Sequence, residues 1–183
     1  MGVCGVGKSV VAKGLSQALD IPMVEADDFH SPANKAKMSK GLALTDADRM
    51  PWLDAVVLAG KAGCADQGGA VIACSALRRI YRDRLRDGLK DCLFIHLTGD
   101  SGLIEARLNS RKNHFVGANL LFSQLSVLEP LEADETGFAL DISLPADEVV
   151  LRALEALRRI EQAANDGAPT HEGTQTMKGR NSC

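Results

Sequence analysis

Short apolar runs alternate with longer amphipathic stretches along most of the chain. Four of the runs, 21–24, 70–74, 92–97 and 138–144, predict strands. The second run is apolar without interruption, which is typical of a strand buried on both faces of a sheet. The intervening stretches predict helices because their apolar residues recur three and four positions apart. These helices cover 8–19, 32–40, 51–62, 78–86, 101–108, 120–129 and 145–160.

Local signals fix several helix ends. Ser31 and Pro32 have the character of a cap and a first helical residue. Pro51 similarly predicts the start of the next helix, because the preceding segment 45–49 is polar and turn-like. Strands that alternate with helices imply a parallel sheet covered by helices on both faces. The sequence therefore predicts an α/β fold of three layers, α/β/α.

The glycine-rich segment at positions 2–9, Gly-Val-Cys-Gly-Val-Gly-Lys-Ser, matches the phosphate-binding P-loop pattern. Glycines let the backbone approach a phosphate closely, and successive N–H groups point into one concavity before a helix. Lys8 would reach the outer phosphates of ATP, and the Ser9 hydroxyl would ligate Mg²⁺. The alternative is a glycine-rich surface turn. The P-loop interpretation gives nucleotide contacts to Gly2, Cys4, Gly5, Val6, Gly7, Lys8, Ser9 and Val10.

A P-loop normally follows a buried strand, but only Met1 precedes this loop. The sequence therefore predicts a P-loop NTPase fold whose first strand is missing from this chain. In this fold that strand lies at the centre of the sheet. We expect its absence to expose two strand edges and to leave the loop unanchored.

Acidic residues follow the first predicted strand, where open α/β sheets bind ligands. Among Glu25, Asp27 and Asp28, one carboxylate could position an acceptor hydroxyl and take its proton, and another could hold Mg²⁺ through water. The alternative is a solvated acidic loop. Basic side chains could bind an anionic acceptor or nucleotide phosphates, although each could equally be a surface residue or a salt-bridge partner; they are Lys37, Arg49, Arg78, Arg107, Arg111 and His114.

Composition restricts the class of protein. The 183 residues suit one domain, which we place at 1–164, and the tail 165–183 is predicted to be disordered because it lacks an apolar pattern. The formal net charge of −3 and an aromatic content of 4% argue against nucleic acid as a partner. No apolar run is long enough to span a membrane. Five cysteines without C-x-x-C spacing favour a reducing compartment, so a cytoplasmic location is expected.

Several sequence blocks occur together in a recognisable order. Beyond the P-loop they are Ala-Asp-Asp-Phe-His at 26–30, Leu-Thr-Asp-Ala-Asp-Arg-Met-Pro-Trp-Leu at 44–53, Ala-Cys-Ser-Ala-Leu-Arg-Arg at 73–79 and Ser-Gln-Leu-Ser-Val-Leu-Glu-Pro at 123–130. With these blocks the chain resembles the ATP-dependent gluconokinases of the P-loop kinase superfamily, which are related in fold to shikimate kinases. The resemblance extends over 2–160.

The resemblance implies transfer of the ATP γ-phosphate to the 6-hydroxyl of D-gluconate, with Mg²⁺ as cofactor. Lys8 and Asp27 would be catalytic, with Ser9 and Glu25 on the metal. Segment 107–125 would form a lid that carries Arg107 and Arg111. These kinases are commonly homodimers. The gluconate pocket would be lined by Asp27, Lys37, Arg49, Ser75, Arg78, His114 and Gln124.

The chain departs from the family pattern at several places. The family loop is serine-rich where Cys4 and Val6 stand, and it has threonine where Val10 stands. Glu25 replaces an aspartate. Two alternatives therefore stay open: a P-loop kinase for another small anion such as shikimate, or a truncated, catalytically impaired nucleotide-binding isoform.

Overall fold

Helices and strands alternate as the apolar pattern predicts. The computed structural model describes residues 1–110 and 114–166, and all of their side chains except those of 114–119 and 165. In chain order the elements are α1 (Lys8–Leu19), β1 (Met23–Glu25), a 3₁₀ turn (Ala26–Phe29), α2 (Pro32–Ser39), α3 (Asp46–Gln67), β2 (Val71–Ala73), α4 (Arg79–Gly88), β3 (Phe94–Thr98), α5 (Ser101–Asn109), α6 (His114–Val127), β4 (Gly137–Asp141) and α7 (Ala146–Asp166).

The four strands are parallel and form two pairs. In the first pair Val24 of β1 lies opposite Ile72 of β2, and β3 pairs with β4 in the second. Successive side chains of a strand point to opposite faces. Val71 accordingly packs against a core formed with α1, α5 and α7, whereas Ile72 packs against a second core formed with α3 and α4. Helices thus cover both faces, and the predicted three-layer α/β fold is confirmed.

Met1 and Gly2 lie between the two strand pairs and join them. The Met1 amino group donates a hydrogen bond to the Ile95 carbonyl oxygen (2.5 Å), and the Leu97 N–H donates to the Met1 carbonyl oxygen (2.9 Å). On the other side, the Gly2 N–H donates to the carbonyl oxygen of Ser75, just after β2 (3.1 Å). The expectation of an unanchored loop is therefore wrong, since its first residues are hydrogen-bonded to both halves of the sheet.

Helix α3 begins at Asp46 rather than at the predicted Pro51. The Thr45 hydroxyl accepts a hydrogen bond from the Asp48 N–H, and the Asp48 carboxylate accepts one from the Thr45 N–H. This reciprocal capping box starts a helix where the sequence suggested a turn. Pro51 lies inside the helix, beyond its first turn. The prediction failed because the proline signal was given more weight than the T-x-x-D pattern before it.

A buried ion pair fastens the segment between α6 and β4 to α4. Arg82 is 0% exposed; its Nε donates to Glu135 Oε1 (2.6 Å) and its Nη2 to Glu135 Oε2 (2.8 Å). The same guanidinium donates to the carbonyl oxygens of Glu129 (2.9 Å) and Pro130 (3.0 Å). One side chain therefore fixes both ends of the 129–135 segment.

Helix α7 continues to Asp166, past the expected domain boundary at 164. The predicted tail beyond 166 lies outside the described residues, as does Arg111. Among the helices that the structure describes, none is both long and apolar enough to cross a membrane.

Candidate active site

The glycine-rich loop has the backbone geometry that its sequence predicts. Gly2 has φ +139°, and a Cβ there would lie 2.7 Å from the Leu97 carbonyl oxygen, so the close approach to β3 requires glycine. Gly7 is the N-cap of α1 with φ +93°, and no atom of the described residues lies within 4 Å of the position that a Cβ would take. As a glycine it has no side chain to cap the first N–H groups of α1. A helix N-terminus of this kind is suited to an anion.

Lys8 lies folded across the loop. Its Nζ donates to the carbonyl oxygens of Gly2 (3.1 Å) and Val3 (3.0 Å). Burial lowers the pKa of Lys8, and the nearby carboxylates of Asp27 and Glu25 act in the opposite direction. The charges of the acidic residues after β1 therefore act on Lys8.

A cavity of about 240 Å³ lies beside the loop, on the side of α5 and α7. Arg107 lines it and donates through Nη2 to the Ile142 carbonyl oxygen (2.8 Å). The structure therefore brings Arg107 to the loop, as predicted for a nucleotide-side residue. Ile142 and Leu144 also line this cavity, and sequence reasoning missed them. Their position directly after the last strand was the available signal, because ligands bind beyond the carboxyl ends of parallel strands.

The acidic part of the site begins where β1 ends. Glu25 is the last residue of β1 and is half-buried, whereas the Asp27 side chain, in the 3₁₀ turn that follows, is 79% exposed. The Trp52 indole N–H donates to the Ala26 carbonyl oxygen (2.6 Å) and ties this turn to α3. The turn therefore presents the Asp27 carboxylate, and that of its exposed neighbour Asp28, on a fixed backbone. His30, whose ring stacks on Trp52, ends the turn.

Two arginines converge on Asp46 and Tyr81. Arg78 Nη1 donates to both Asp46 carboxylate oxygens (2.8 and 3.0 Å), and the Tyr81 hydroxyl donates to Asp46 Oδ1 (2.5 Å). Arg49 Nη1 donates to the Tyr81 hydroxyl oxygen (3.1 Å). Hydrogen bonds from Tyr81 and Arg78 lower the pKa of Asp46. The predicted pair Arg49 and Arg78 thus forms a cationic cluster around a carboxylate, whereas Asp46 and Tyr81 were not predicted as members.

Lys37 has a different environment from the two arginines. Its Nζ donates to Asp48 Oδ1 (2.7 Å) and Oδ2 (2.9 Å), and this bond lowers the pKa of Asp48 to about 2. Asp48 also belongs to the capping box of α3. The polar contacts that the structure describes for Lys37 therefore form an ion pair at the start of α3. Ser75 holds Gly2 through its backbone carbonyl, and its side chain is half-buried.

Gln124 contacts the loop itself. Its Oε1 accepts a hydrogen bond from the Cys4 N–H (2.6 Å), which places the middle of α6 against the P-loop. His114 is the first residue of α6, and its side chain lies outside the described part of the chain. The predicted lid is thus described at 107–110 and 114–125.

Ser9 and Glu25 are the two predicted magnesium ligands. Within residues 1–110 and 114–166, no group of three or more His, Cys, Asp or Glu side chains could hold a metal ion. Mg²⁺, however, usually takes one or two protein ligands together with waters and substrate phosphates. The exposed Ser9 hydroxyl and the half-buried Glu25 carboxylate are oxygen donors of this kind. They fit a nucleotide-associated magnesium ion.

A family model, curated proteins and solved structures are all similar to this chain. A family model described as shikimate kinase matches residues 4–129. A gluconokinase from Gluconobacter oxydans is 46% identical over 139 residues, which cover 74% of this chain and 76% of that protein. The thermoresistant gluconokinase of Escherichia coli is 39% identical over 160 residues, covering 87% of this chain and 91% of that protein. A solved gluconokinase structure from Sinorhizobium meliloti has a TM-score of 0.81 and 38% identity, and covers 92% of this chain and 95% of that one.

Proposed function

Because this chain belongs to the gluconokinase family of P-loop kinases, we propose that it transfers the γ-phosphate of ATP to the 6-hydroxyl of D-gluconate. The observation that carries the proposal is a P-loop lysine, Lys8, folded on its loop, together with an exposed carboxylate, Asp27, whose charge acts on that lysine. Phosphoryl transfer to a hydroxyl needs a cation on the phosphates and a carboxylate at the acceptor.

The nucleotide half of the proposal rests on the loop and the cavity beside it. Backbone N–H groups from the loop would hold the phosphates, and Lys8 would leave its carbonyl partners to neutralise them. The adenine of ATP would enter the cavity that Arg107 lines. Magnesium, held by the Ser9 hydroxyl and Glu25, would neutralise phosphate charge. Further nucleotide contacts are proposed for Gly2, Cys4, Gly5, Val6, Gly7, Val10 and Arg111.

The acceptor half of the proposal rests on the turn after β1 and on the arginine cluster. Asp27 would accept the proton of the 6-hydroxyl as that oxygen attacks the γ-phosphate. The Asp46 carboxylate already accepts hydrogen bonds from Arg78 and Tyr81, which supports the arginine cluster as the place where the gluconate carboxylate binds. A gluconate carboxylate would compete for the same donors. The remaining proposed gluconate contacts are Lys37, Arg49, Ser75, His114 and Gln124.

The proposal extends to the lid, the assembly and the location of the protein. Segment 107–125 would close over the nucleotide and exclude water, and Gln124 would couple that closure to the loop. A homodimer is supported by exposed apolar side chains on α6, among them Phe122 at 76% exposure. The net charge of −3 supports a protein without a nucleic-acid partner. A cytoplasmic location is supported by cysteines that form no disulfide among the described residues.

A coupled assay of ADP release tests the proposal, with D-gluconate, shikimate or no acceptor present. We expect turnover that depends on gluconate. Asp27→Asn should lower kcat by about 10²–10⁴-fold with little change in the KM for ATP, because general-base catalysis contributes that much. Asp28→Asn is the matched control, since Asp28 is the exposed neighbour of Asp27, and it should retain wild-type turnover.

Other outcomes would contradict specific parts of the proposal. Turnover with shikimate but not gluconate would reject the substrate. No turnover with any acceptor, from protein that still shows cooperative unfolding, would favour an impaired nucleotide-binding isoform. Equal losses in the two aspartate variants would reject Asp27 as the base.

A further inference from the structure

His30 is buried directly beside the proposed base. The residue is 8% exposed, and its ring stacks on Trp52 with the ring centroids 4.3 Å apart and the planes at 16°. Its Nε2 lies 3.9 Å from Asp27 Oδ1. Its Nδ1 is buried and has no hydrogen-bond partner in the described part of the chain. A polar ring buried in this way needs an explanation, because buried polar atoms are nearly always paired.

The position of the imidazole proton follows from these surroundings. Burial lowers the pKa of His30, and the charges of Lys35 and Arg49 lower this pKa further, whereas the Asp27 carboxylate raises it. The ring is therefore neutral near pH 7 and carries one N–H. A proton on Nδ1 would be a buried donor without an acceptor and would turn the Nε2 lone pair toward a carboxylate. A proton on Nε2 instead directs the N–H at Asp27.

The backbone keeps this pair together while leaving the carboxylate free to turn. Asp27 lies within the 3₁₀ turn and His30 is its C-cap, whose N–H donates to the Asp27 carbonyl oxygen (3.5 Å). The separation of 3.9 Å between Nε2 and Oδ1 is longer than a hydrogen bond. Catalytic hydrogen bonds are often long before substrate binds and shorten in the complex. The Asp27 side chain is 79% exposed, so it has room to rotate toward Nε2.

We propose that His30 is a positioning residue, an inference that rests on the proposed function. Its Nε2–H donates to one oxygen of Asp27 and so directs the other oxygen at the acceptor hydroxyl. The ring itself is held by Trp52, which is tied to the same turn through the Ala26 carbonyl. In this tautomer the unpaired Nδ1 is an acceptor, so no buried N–H of the ring is left without a partner. His30 does not touch substrate and acts only through Asp27.

Two substitutions separate this role from simple core packing. His30→Phe keeps a flat ring to stack on Trp52 but removes the N–H, whereas His30→Gln keeps an N–H donor near the position of Nε2 and removes the ring. We expect His30→Phe to fold and to lose roughly 10–100-fold in kcat, because a misplaced catalytic group costs about that much. His30→Gln should be less stable yet retain more of the wild-type kcat. The opposite ranking of the two turnover rates would overturn the proposal.

A double-mutant cycle checks that His30 acts through Asp27. In an Asp27→Asn background, His30→Phe should cause no further loss of kcat, because the carboxylate it positions is gone. An equal loss in both backgrounds overturns the proposal, as does an Asp27→Asn variant with unchanged turnover.

The tautomer can be measured without turnover. With ¹⁵N-histidine-labelled protein, NMR should show the His30 proton on Nε2, with assignment from the His30→Gln spectrum. Asp27→Asn should move the Nε2–H resonance, and Asp28→Asn should not. A proton on Nδ1 overturns the proposal, whereas absent gluconate turnover with the Nε2 tautomer present would reject only the proposed function.

Discussion

Glu135→Gln isolates the energetic role of the buried ion pair with Arg82. The change preserves the size of the side chain and removes one charge. It leaves the guanidinium buried, with its remaining hydrogen bonds to the carbonyl oxygens of Glu129 (2.9 Å) and Pro130 (3.0 Å). Breaking a buried pair by neutralising one partner costs about 3–5 kcal/mol. Because these two carbonyl acceptors remain, together with the more distant carbonyl oxygens of Ala76 and Leu77 (both 3.4 Å), we expect the lower end, about 3 kcal/mol of the free energy of unfolding.

The matched control is Asp54→Asn. Asp54 accepts a hydrogen bond from Arg84 Nε at 2.6 Å, as short as the bond from Arg82 Nε to Glu135, but both side chains are nearly half exposed (47% and 45%). Exposed pairs contribute about 0–1 kcal/mol because water screens them. The two variants therefore compare ion pairs whose hydrogen bonds are equally long but whose side chains differ in burial.

Urea denaturation followed by the fluorescence of Trp52, the single tryptophan, measures both variants. With a urea m-value of about 2 kcal/mol/M, the expected loss lowers the midpoint by about 1.5 M for Glu135→Gln. The control should shift by no more than about 0.5 M on the same basis. Indistinguishable midpoints for the two variants would refute the argument that burial, rather than bond length, sets the value of these pairs.

Two further predictions follow from the site and from the start of the chain. Arg78→Lys should raise the KM for gluconate by tenfold or more, because one ammonium cannot replace the planar guanidinium, whose Nη1 donates to Asp46 while its Nε donates to Glu129 (3.4 Å), and hydrogen bonds to charged groups contribute about 1.5–3 kcal/mol; Arg84→Lys, on the outer surface, should not change it. Burial lowers the pKa of the Met1 amino group to about 5. The unfolded chain, with the ordinary pKa of 8.0, binds more protons between those pH values. Stability should therefore rise with pH from 5 to 8, by at most about 4 kcal/mol. Thermal unfolding measured at a series of pH values reports this rise in stability. A variant extended at its N-terminus moves the amine away, so it should lose the part of the rise that falls between pH 6.5 and 8. An unchanged profile in the extended variant would contradict a buried amine.

The order and type of the elements could be predicted because they depend on local periodicity and short motifs. The P-loop and α1 are the clearest case: Gly7 and Lys8 fix both the turn and the helix start within a few residues. Helix α3 was predicted too short because two local signals, Thr45 and Pro51, conflicted and only the structure shows which one prevails.

The missed features depend on contacts distant in sequence. Arg82 and Glu135 are separated by 53 positions, and nothing in a basic helix marks one arginine as buried. The anchoring of Met1 on β3 likewise joins residues 94 apart. Asp46 and Tyr81, 35 apart, enter the arginine cluster only through the fold. Candidate residues close to a motif were therefore easier to predict than the partners that hold them.

The junction at Met1 and Gly2 also affects how the molecule would come apart. Strands β2 and β3 flank this junction and do not pair with each other in the described sheets. Both apolar cores nevertheless contain residues of both strand pairs, since Val71 and Leu97 lie in one core and Ile72 and Phe94 lie in the other. The two pairs would therefore unfold together as one cooperative unit. A phosphate seated on the loop would contact the same short segment that joins the pairs, so its binding would stabilise the whole molecule against unfolding rather than one half.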